Sequence, residues 1–494
     1  MSYNFNEKRI SRNIIAPAIQ VLISGIVFFV LYRYLYERLG AEQIGVWSLV
    51  IATTSVSRIG DLGLSAGVVK FVAQAIGRDD TQRASDVIQT VTLTLCFFMA
   101  VLLSVCYPLF ILALNYFIPA HEVPIALKIL PYALVSLWVM AIVSVFSGAL
   151  DGCMRIDLRS LVMGFSHLIY LGLTMLLVPQ YGLEGVAMAQ VIQSIGLMVL
   201  LWWMLRRQIV KLPFIPRHLK LQVLKEMIGY GVNFQIITLM NMLFDPLVKA
   251  LMSKFGGLEA LGYYQMANKL ILQGRSLIVE ASRVMVPAIA ALQKHDIVKA
   301  TQLFLISYRI TFYVAVLFYG LLGIFITTIS MLWLGHYQAT FIQYALLLNL
   351  GWFTNTLIGP AYLANLGTGK LRPNMISHFI MGLCSLLVGI PLGFYYGGVG
   401  VVVGTISGLI TGSIFLLISH IKLAGLHWPS LIIPQDMTKL LILSIFATFF
   451  SNYGRSQHSS IVSLLGIALL SSASLLMLGW LNPARMVLMR RGKL

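Results

Sequence analysis

Two stretches of this chain echo each other at a fixed distance. Glu42-Gln43-Ile44-Gly45-Val46-Trp47 returns as Glu259-Ala260-Leu261-Gly262-Tyr263-Tyr264, and the arginine that follows each, Arg58 or Arg275, keeps the same offset of 217. Further on, Tyr181-Gly182-Leu183-Glu184-Gly185-Val186 returns as Tyr396-Gly397-Gly398-Val399-Gly400-Val401, at an offset of 215. Offsets that agree this closely imply a duplication of roughly half the chain. Any fold for this sequence must therefore hold two equivalent halves.

Composition decides which solvent those halves meet. Of 494 residues, 59% are hydrophobic and 11% charged, and the mean hydropathy is +0.87. A soluble globular protein carries about 25% charged residues, so this chain is solvated mostly by lipid. The net charge of +18 would suggest nucleic acid in a soluble protein. Here nearly all the charges fall in short loops between apolar runs, and no basic, aromatic-interleaved soluble domain exists to carry that role.

A helix needs about 20 apolar residues to cross about 30 Å of hydrocarbon. Such runs are predicted near 13–35, 44–69, 87–113, 125–149, 159–179, 185–205, 227–251, 263–291, 303–333, 342–364, 374–394, 399–420, 438–452 and 460–481, fourteen in all. The thirteenth is short. The second and eighth are interrupted, by Gly60-Asp61-Leu62-Gly63 and by charge around Arg275. Lys8, Arg9 and Arg12 precede the first run as in a signal peptide, but it ends in Tyr32-Arg33-Tyr34 with no small-residue cleavage site, so it is expected to stay as a helix. With the N-terminus in the cytoplasm, cytoplasmic segments collect 24 Lys and Arg and the opposite side 5. That asymmetry predicts an even number of spans and both termini in the cytoplasm.

Spans 1–6 and 7–12 then correspond, and the last two are an addition. Six spans per half is even, so both halves enter the membrane in the same direction, related by a pseudo-two-fold along the membrane normal. The expected organisation is a six-helix bundle over 1–205, a basic cytoplasmic linker over 206–225, a second six-helix bundle over 226–425, and a further helix pair with a basic tail over 426–494. The fold class is thus an all-α integral membrane protein with about 14 transmembrane helices. Paired halves of this kind enclose the site in secondary transporters. No extramembrane segment is long enough for a catalytic domain.

Ionisable residues within spans cost about 2.5–3.5 kcal/mol each by insertion scales and usually mark function. They are Arg58 and Asp61 in span 2, Asp245 and Lys249 in span 7, and Lys269, Arg275, Glu280 and Arg283 in span 8. Arg58 with Asp61, Asp245 with Lys249 and Glu280 with Arg283 are three or four residues apart, so each could be a self-neutralised structural pair. Lys269 and Arg275 have no such local partner. Five basic against three acidic residues leave a surplus of +2. Arginine's planar fork suits phosphate, so Arg58, Lys269, Arg275 and Arg283 are the candidate ligands of an anionic substrate. Interfacial snorkelling is the alternative for them. Asp245, Asp61 and Glu280 are the candidate ion-coupling carboxylates. Asp245 stands out because Pro246 would bend the helix beside it, as a hinge or as a mere kink.

Four scattered cysteines (Cys96, Cys106, Cys153, Cys384) and nine histidines show no disulfide or metal spacing. No phosphate loop, zinc signature or Asp-x-Asp motif is present, which argues against ATP hydrolysis and glycosyl transfer. Neither catalytic residues nor a cofactor is expected. Trp202, Trp203, Tyr263 and Tyr264 fall near span ends and read as an interfacial belt in preference to sugar-stacking platforms.

Several runs resemble one family. Leu39-Gly40-Ala41-Glu42-Gln43-Ile44-Gly45, Asp61-Leu62-Gly63-Leu64-Ser65 and Val69-Lys70-Phe71-Val72-Ala73 are similar to bacterial polysaccharide transporters, the O-antigen and exopolysaccharide flippases. Gly148-Ala149-Leu150-Asp151-Gly152-Cys153-Met154-Arg155, Tyr181 through Ala187, and Phe255-Gly256-Gly257 through Tyr264 fit the same family, in the same order, over about 1–425. The resemblance implies the multidrug/oligosaccharidyl-lipid/polysaccharide exporter fold, two six-helix bundles forming a V. It also implies alternating-access movement of a polyprenyl-pyrophosphate-linked oligosaccharide (an O-antigen, capsule or exopolysaccharide repeat unit) across the bacterial inner membrane. A polysaccharide polymerase and export machinery would be its partners, besides membrane lipid.

Many relatives have twelve spans, so the last pair departs from them, whereas lipid II flippases of the superfamily have fourteen. Span 1 lacks the arginine-rich face of those proteins, with only Arg12 and Arg33 flanking it. A multidrug exporter of the same fold would favour an acidic cavity, and a membrane glycan polymerase or ligase would need a large periplasmic loop. Directional transport is expected to draw on an H+ or Na+ gradient or on consumption of the flipped product; which ion, and which sugars, the residues leave open.

Overall fold

The computed structural model describes residues 7–55, 63–227, 244–282, 297–426, 442 and 445. Among them nearly all residues are helical, with no strand. The expected spans 13 and 14 lie outside them, apart from those last two residues. The chain divides into two compact units, Met1–Lys254 and Phe255–Leu494.

The first unit contains α1 (Glu7–Ser55), α2 (Leu64–Gly77), α3 (Thr81–Phe117), α4 (Val123–Gly152), α5 (Ile156–Tyr181) and α6 (Leu183–Gln208). The second contains α7 (Gly257–Ser282), α8 (Ile297–Trp333), α9 (Ala339–Leu357), α10 (Gly359–Thr368) and α11 (Arg372–Leu423). Seven of these helices (α1, α3, α4, α5, α6, α8 and α11) are long and apolar enough to cross a membrane. Two are far too long for one crossing. α11 has 52 residues, about 78 Å at 1.5 Å per residue. It breaks at Gly397 (φ 59°, ψ −139°), and α1 breaks at Gly40 (φ 79°, ψ 172°). The single apolar run expected over 342–364 is in turn divided, between α9 and α10 at Ile358.

The duplication is written into these breaks. Gly182, between α5 and α6, has φ 56° and ψ −134°, nearly those of Gly397, its counterpart at the offset of 215. Gly40 and Gly257, 217 apart, both have positive φ (79° and 84°). Met154 and Gly369 close the loops before α5 and α11 with φ 58° and 73°, again 215 apart. Glycine takes such values without cost, whereas a methionine there is strained. Met154→Gly should therefore raise stability by about 1 kcal/mol; an unchanged or lowered melting temperature would remove the strain argument.

Close approach of helices explains other glycines of these runs. A Cβ on Gly148 would meet the Ser65 carbonyl at 3.0 Å, and one on Gly152 the Val69 carbonyl at 2.9 Å, so three of the family-like runs meet at the α2–α4 contact. Ser65 and Ser144 Oγ share a hydrogen bond of 2.6 Å beside it. The second unit carries a longer version. Gly400, Gly404, Gly408 and Gly412 lie against Leu392, Gly389, Ser385 and Met381 of the same helix, so the limbs on either side of Gly397 form an antiparallel hairpin at backbone distance. At the corresponding place in the first unit, Gly185 lies against Leu177.

Side-chain bonds set helix directions in the first unit. Asn13 to the Met154 carbonyl, Gln20 to Met163, Ser24 to His167 and Tyr34 to the Met175 carbonyl keep nearly one sequence separation, 141 to 143, so the first limb of α1 runs parallel to α5. Lys128 pairs with Glu184 at one end of α4 and α6, and Arg155 reaches Gln208 at the other, so these too are parallel. The basic connection after α6 is folded onto α3: Lys220 Nζ pairs with Asp86 at 2.5 Å, the Arg217 and His218 amides donate to Gln89, and Trp202 Nε1 donates to the Phe214 carbonyl.

Candidate functional site

The most unusual polar cluster centres on Arg275 of α7. Asn268 precedes it by seven residues, which returns to within about 20° on a helix, so both project from one face. Trp352 of α9 lies against both: its Nε1 donates to Asn268 Oδ1 at 2.8 Å, and the Arg275 guanidinium carbon stands 5.1 Å from the ring centroid. Arg275 Nη2 donates to Asn355 Oδ1 at 2.8 Å. Asn355 is 6% exposed, and its Nδ2 points at Ser413 Oγ (3.5 Å) and Met381 Sδ (3.9 Å) of α11. That fixes the amide with its oxygen toward the cation. Beside this cluster Tyr319 and Thr356 share a hydrogen bond of 2.7 Å, and Asn349 Nδ2 donates to the Tyr319 carbonyl at 2.9 Å. Gly274 makes the approach of α8 possible, since a Cβ there would overlap the Phe318 ring.

Electrostatically the cluster is incomplete. Among the described residues no carboxylate pairs with Arg275, and its Nε is occluded without a hydrogen-bond partner. An amide oxygen and an indole face solvate a guanidinium without cancelling its charge. The cluster therefore holds a partly buried positive charge whose described partners are neutral.

The other expected site residues fall elsewhere. Arg58, Asp61 and Arg283 lie outside the described residues, as does the side chain of Glu280 on α7. Lys269 is six residues before Arg275, about 120° around the helix, and is itself engaged; it does not share the Arg275 face. Asp245 Oδ2 pairs with Lys249 Nζ at 2.7 Å, with the lysine side chain 7% exposed and the aspartate 48%. The helix carrying them, residues 244–251, runs into a π-helical turn at Met252–Gly256. Arg309, within α8, is a further basic residue inside a span that the tally of five against three omitted.

Asn268, Trp352 and Asn355 were missed by sequence reasoning. Their one signal is an indole and an amide (Asn355) inside the apolar run 342–364. The belt reading is corrected for two of its four residues: Tyr263 and Tyr264 are 5% and 2% exposed and belong to the protein core. Trp203 stays 45% exposed beneath the Arg207 guanidinium, 3.6 Å from the ring centroid. Glu42, His121 and Glu122 bring three potential ligand atoms within 4.8 Å of one another. Two of these side chains are exposed and already paired, His121 to Glu42 at 3.3 Å.

The family described as "Polysaccharide biosynthesis protein" matches residues 39–336. Among solved structures, a lipid II flippase MurJ in an inward closed conformation is 15% identical with a TM-score of 0.74, covering 93% of this chain and 98% of that one. A multidrug resistance MATE family transporter of the MOP superfamily, inward-facing, is 14% identical with a TM-score of 0.71, covering 83% and 98%. A MOP superfamily transporter from Pyrococcus furiosus is 15% identical with a TM-score of 0.58, covering 84% and 95%. These likenesses show the fold. No curated protein sequence matches the chain.

Proposed function

The chain belongs to the polysaccharide biosynthesis protein family, and on that premise we propose that it is a flippase for polyprenyl-pyrophosphate-linked oligosaccharide. It carries a repeat unit of O-antigen, capsule or exopolysaccharide across the bacterial inner membrane by alternating access. The observation that carries this reading is Arg275: a partly buried guanidinium whose described partners are neutral keeps an uncancelled positive charge, which suits a pyrophosphate and repels a cationic drug. Arg58, Lys269 and Arg283 are assigned supporting contacts to the same anion on sequence grounds. Both termini are assigned to the cytoplasm. A lipid II-type precursor is the second reading, supported by the 93% of the chain that the MurJ structure covers; the pyrophosphate is common to both.

Purified protein in vesicles should flip a pyrophosphate-linked glycan and leave a cationic dye unmoved. Dye efflux with no glycan movement would reverse the assignment.

No nucleotide motif is present, so directionality is assigned to an H+ or Na+ gradient or to consumption of the product. Asp245 is the proposed coupling carboxylate, ahead of Asp61 and Glu280, because its second oxygen stays accessible while Lys249 is buried. Biasing two conformers tenfold takes only about 1.4 kcal/mol. An Asp245→Asn, Lys249→Gln double variant keeps the local charge balanced. It is expected to lose the dependence of flipping on the gradient; wild-type gradient dependence would make the pair structural.

A further inference from the structure

The duplication also exposes a place where the two units differ. In the first unit Leu150, Cys153, Leu205 and Ile209 all belong to one packed apolar core. Their counterparts at the offset of 215 are Asn365, Thr368, His420 and Ala424. The register is sound there, because the helix pairs end at Gln208 and Leu423, also 215 apart. Instead of a packed core, these four line a pocket of about 570 Å³, counting its open mouth. Phe304, Leu423 and Leu426 form apolar walls, Thr301 adds a hydroxyl, and Lys370 stands at the rim.

The polar groups inside are held in one sense. Asn374 Nδ2 donates to the Tyr362 carbonyl at 3.1 Å, so its Oδ1 accepts from Asn365 Nδ2 at 2.8 Å. Asn365 Oδ1 is thereby the atom facing His420 Nδ1 at 2.8 Å, and the imidazole donates through Nδ1. A neutral His420 then keeps Nε2 as an acceptor. The ring is pinned by Phe304, 4.4 Å between centroids, and His420 and Asn365 are 7% and 1% exposed. Burying this network where the first unit buries leucines is costly unless something uses it. Lys370, Arg372 and Lys422 are all exposed at the same end of the hairpin. Among the described residues Lys370 pairs with no carboxylate.

We propose that this pocket binds a polyol phosphate, a phosphate ester whose alcohol carries free hydroxyls, with the phosphate on Lys370 and the hydroxyls on His420, Asn365 and Thr368. Two sources present that chemistry: the headgroup of an anionic phospholipid in the adjoining leaflet, and a soluble polyol phosphate. Binding to the full-length protein in detergent can be measured with dihexanoyl phosphatidylglycerol, dihexanoyl phosphatidylcholine and glycerol 1-phosphate. The glycerol lipid should bind at least about tenfold tighter than the choline lipid, the worth of one charge-assisted contact with its hydroxyl partners. Lys370→Ala, an exposed change, should cost about tenfold, and His420→Leu, which restores the first unit's residue, should remove binding. Glycerol 1-phosphate binding as tightly as the lipid would identify the soluble source; a much weaker affinity would identify the membrane. Equal affinity for both lipids, or glycerol-lipid binding untouched by either substitution, would overturn the proposal.

Discussion

Gly400→Ala is expected to leave almost no folded protein in the membrane. A Cβ at this position would overlap the carbonyl carbon and oxygen of Leu392. Backbone cannot rotate away as a side chain can, so the limbs of the α11 hairpin must separate by more than 1 Å, on the order of the gap to ordinary contact. Separation also loosens Gly404, Gly408 and Gly412, which depend on the same approach. Overpacking typically costs about 1–3 kcal/mol and occasionally more, and this case lies at or above the upper end. Gly185→Ala, 2.7 Å from the Leu177 carbonyl, should cost less. Gly382→Ala, with nothing within 4 Å, should gain up to about 1 kcal/mol of helix propensity. Melting temperatures in detergent and monodisperse yield give the ranking. If Gly400→Ala melts like Gly382→Ala, the hairpin does not pack at backbone distance.

Arg275→Ala should abolish glycan export while the protein still inserts normally. Among the described residues the side chain's hydrogen bond and ring contact are to neutral groups, so its removal strands no described carboxylate, and the cost falls on Asn355 Oδ1, which loses its donor. Loss of the fork removes the charge that the substrate's pyrophosphate needs. Arg275→Lys should restore export only in part, because an ammonium binds phosphate as a point charge. Asn355→Leu should lower export less than Arg275→Ala, since it disorders the guanidinium without deleting it. Full export by Arg275→Ala would remove the anion site from the account.

How much of this was legible in the sequence depends on the range of the signal. The duplication was readable because glycines such as Gly182 and Gly397 recur in register, and the structure gives positive φ to both members of Gly182/Gly397, Gly40/Gly257 and Met154/Gly369. The third pair was hidden, because a methionine occupies a conformation that glycine marks in the other copy. Helix positions followed from apolar runs, with the start shifted by several residues where a polar first turn extends the helix, as at Thr81. Arg275 was singled out for lacking a local partner. Its real partners, Asn355 and Trp352, belong to another helix far along the chain, beyond any helical spacing rule, and they are uncharged. The Gly400–Gly412 ladder has a four-residue period that the sequence displays openly, but its meaning needs the antiparallel limb that it meets.

The central claim is that Arg275 holds the pyrophosphate of the substrate. Its most direct test is the affinity of the detergent-purified protein for a short-chain polyprenyl-pyrophosphate sugar, set against the matching monophosphate. Wild type should prefer the pyrophosphate by about tenfold, and Arg275→Ala should lose that preference along with about tenfold in affinity. Equal affinities of wild type and Arg275→Ala for the pyrophosphate compound would contradict it.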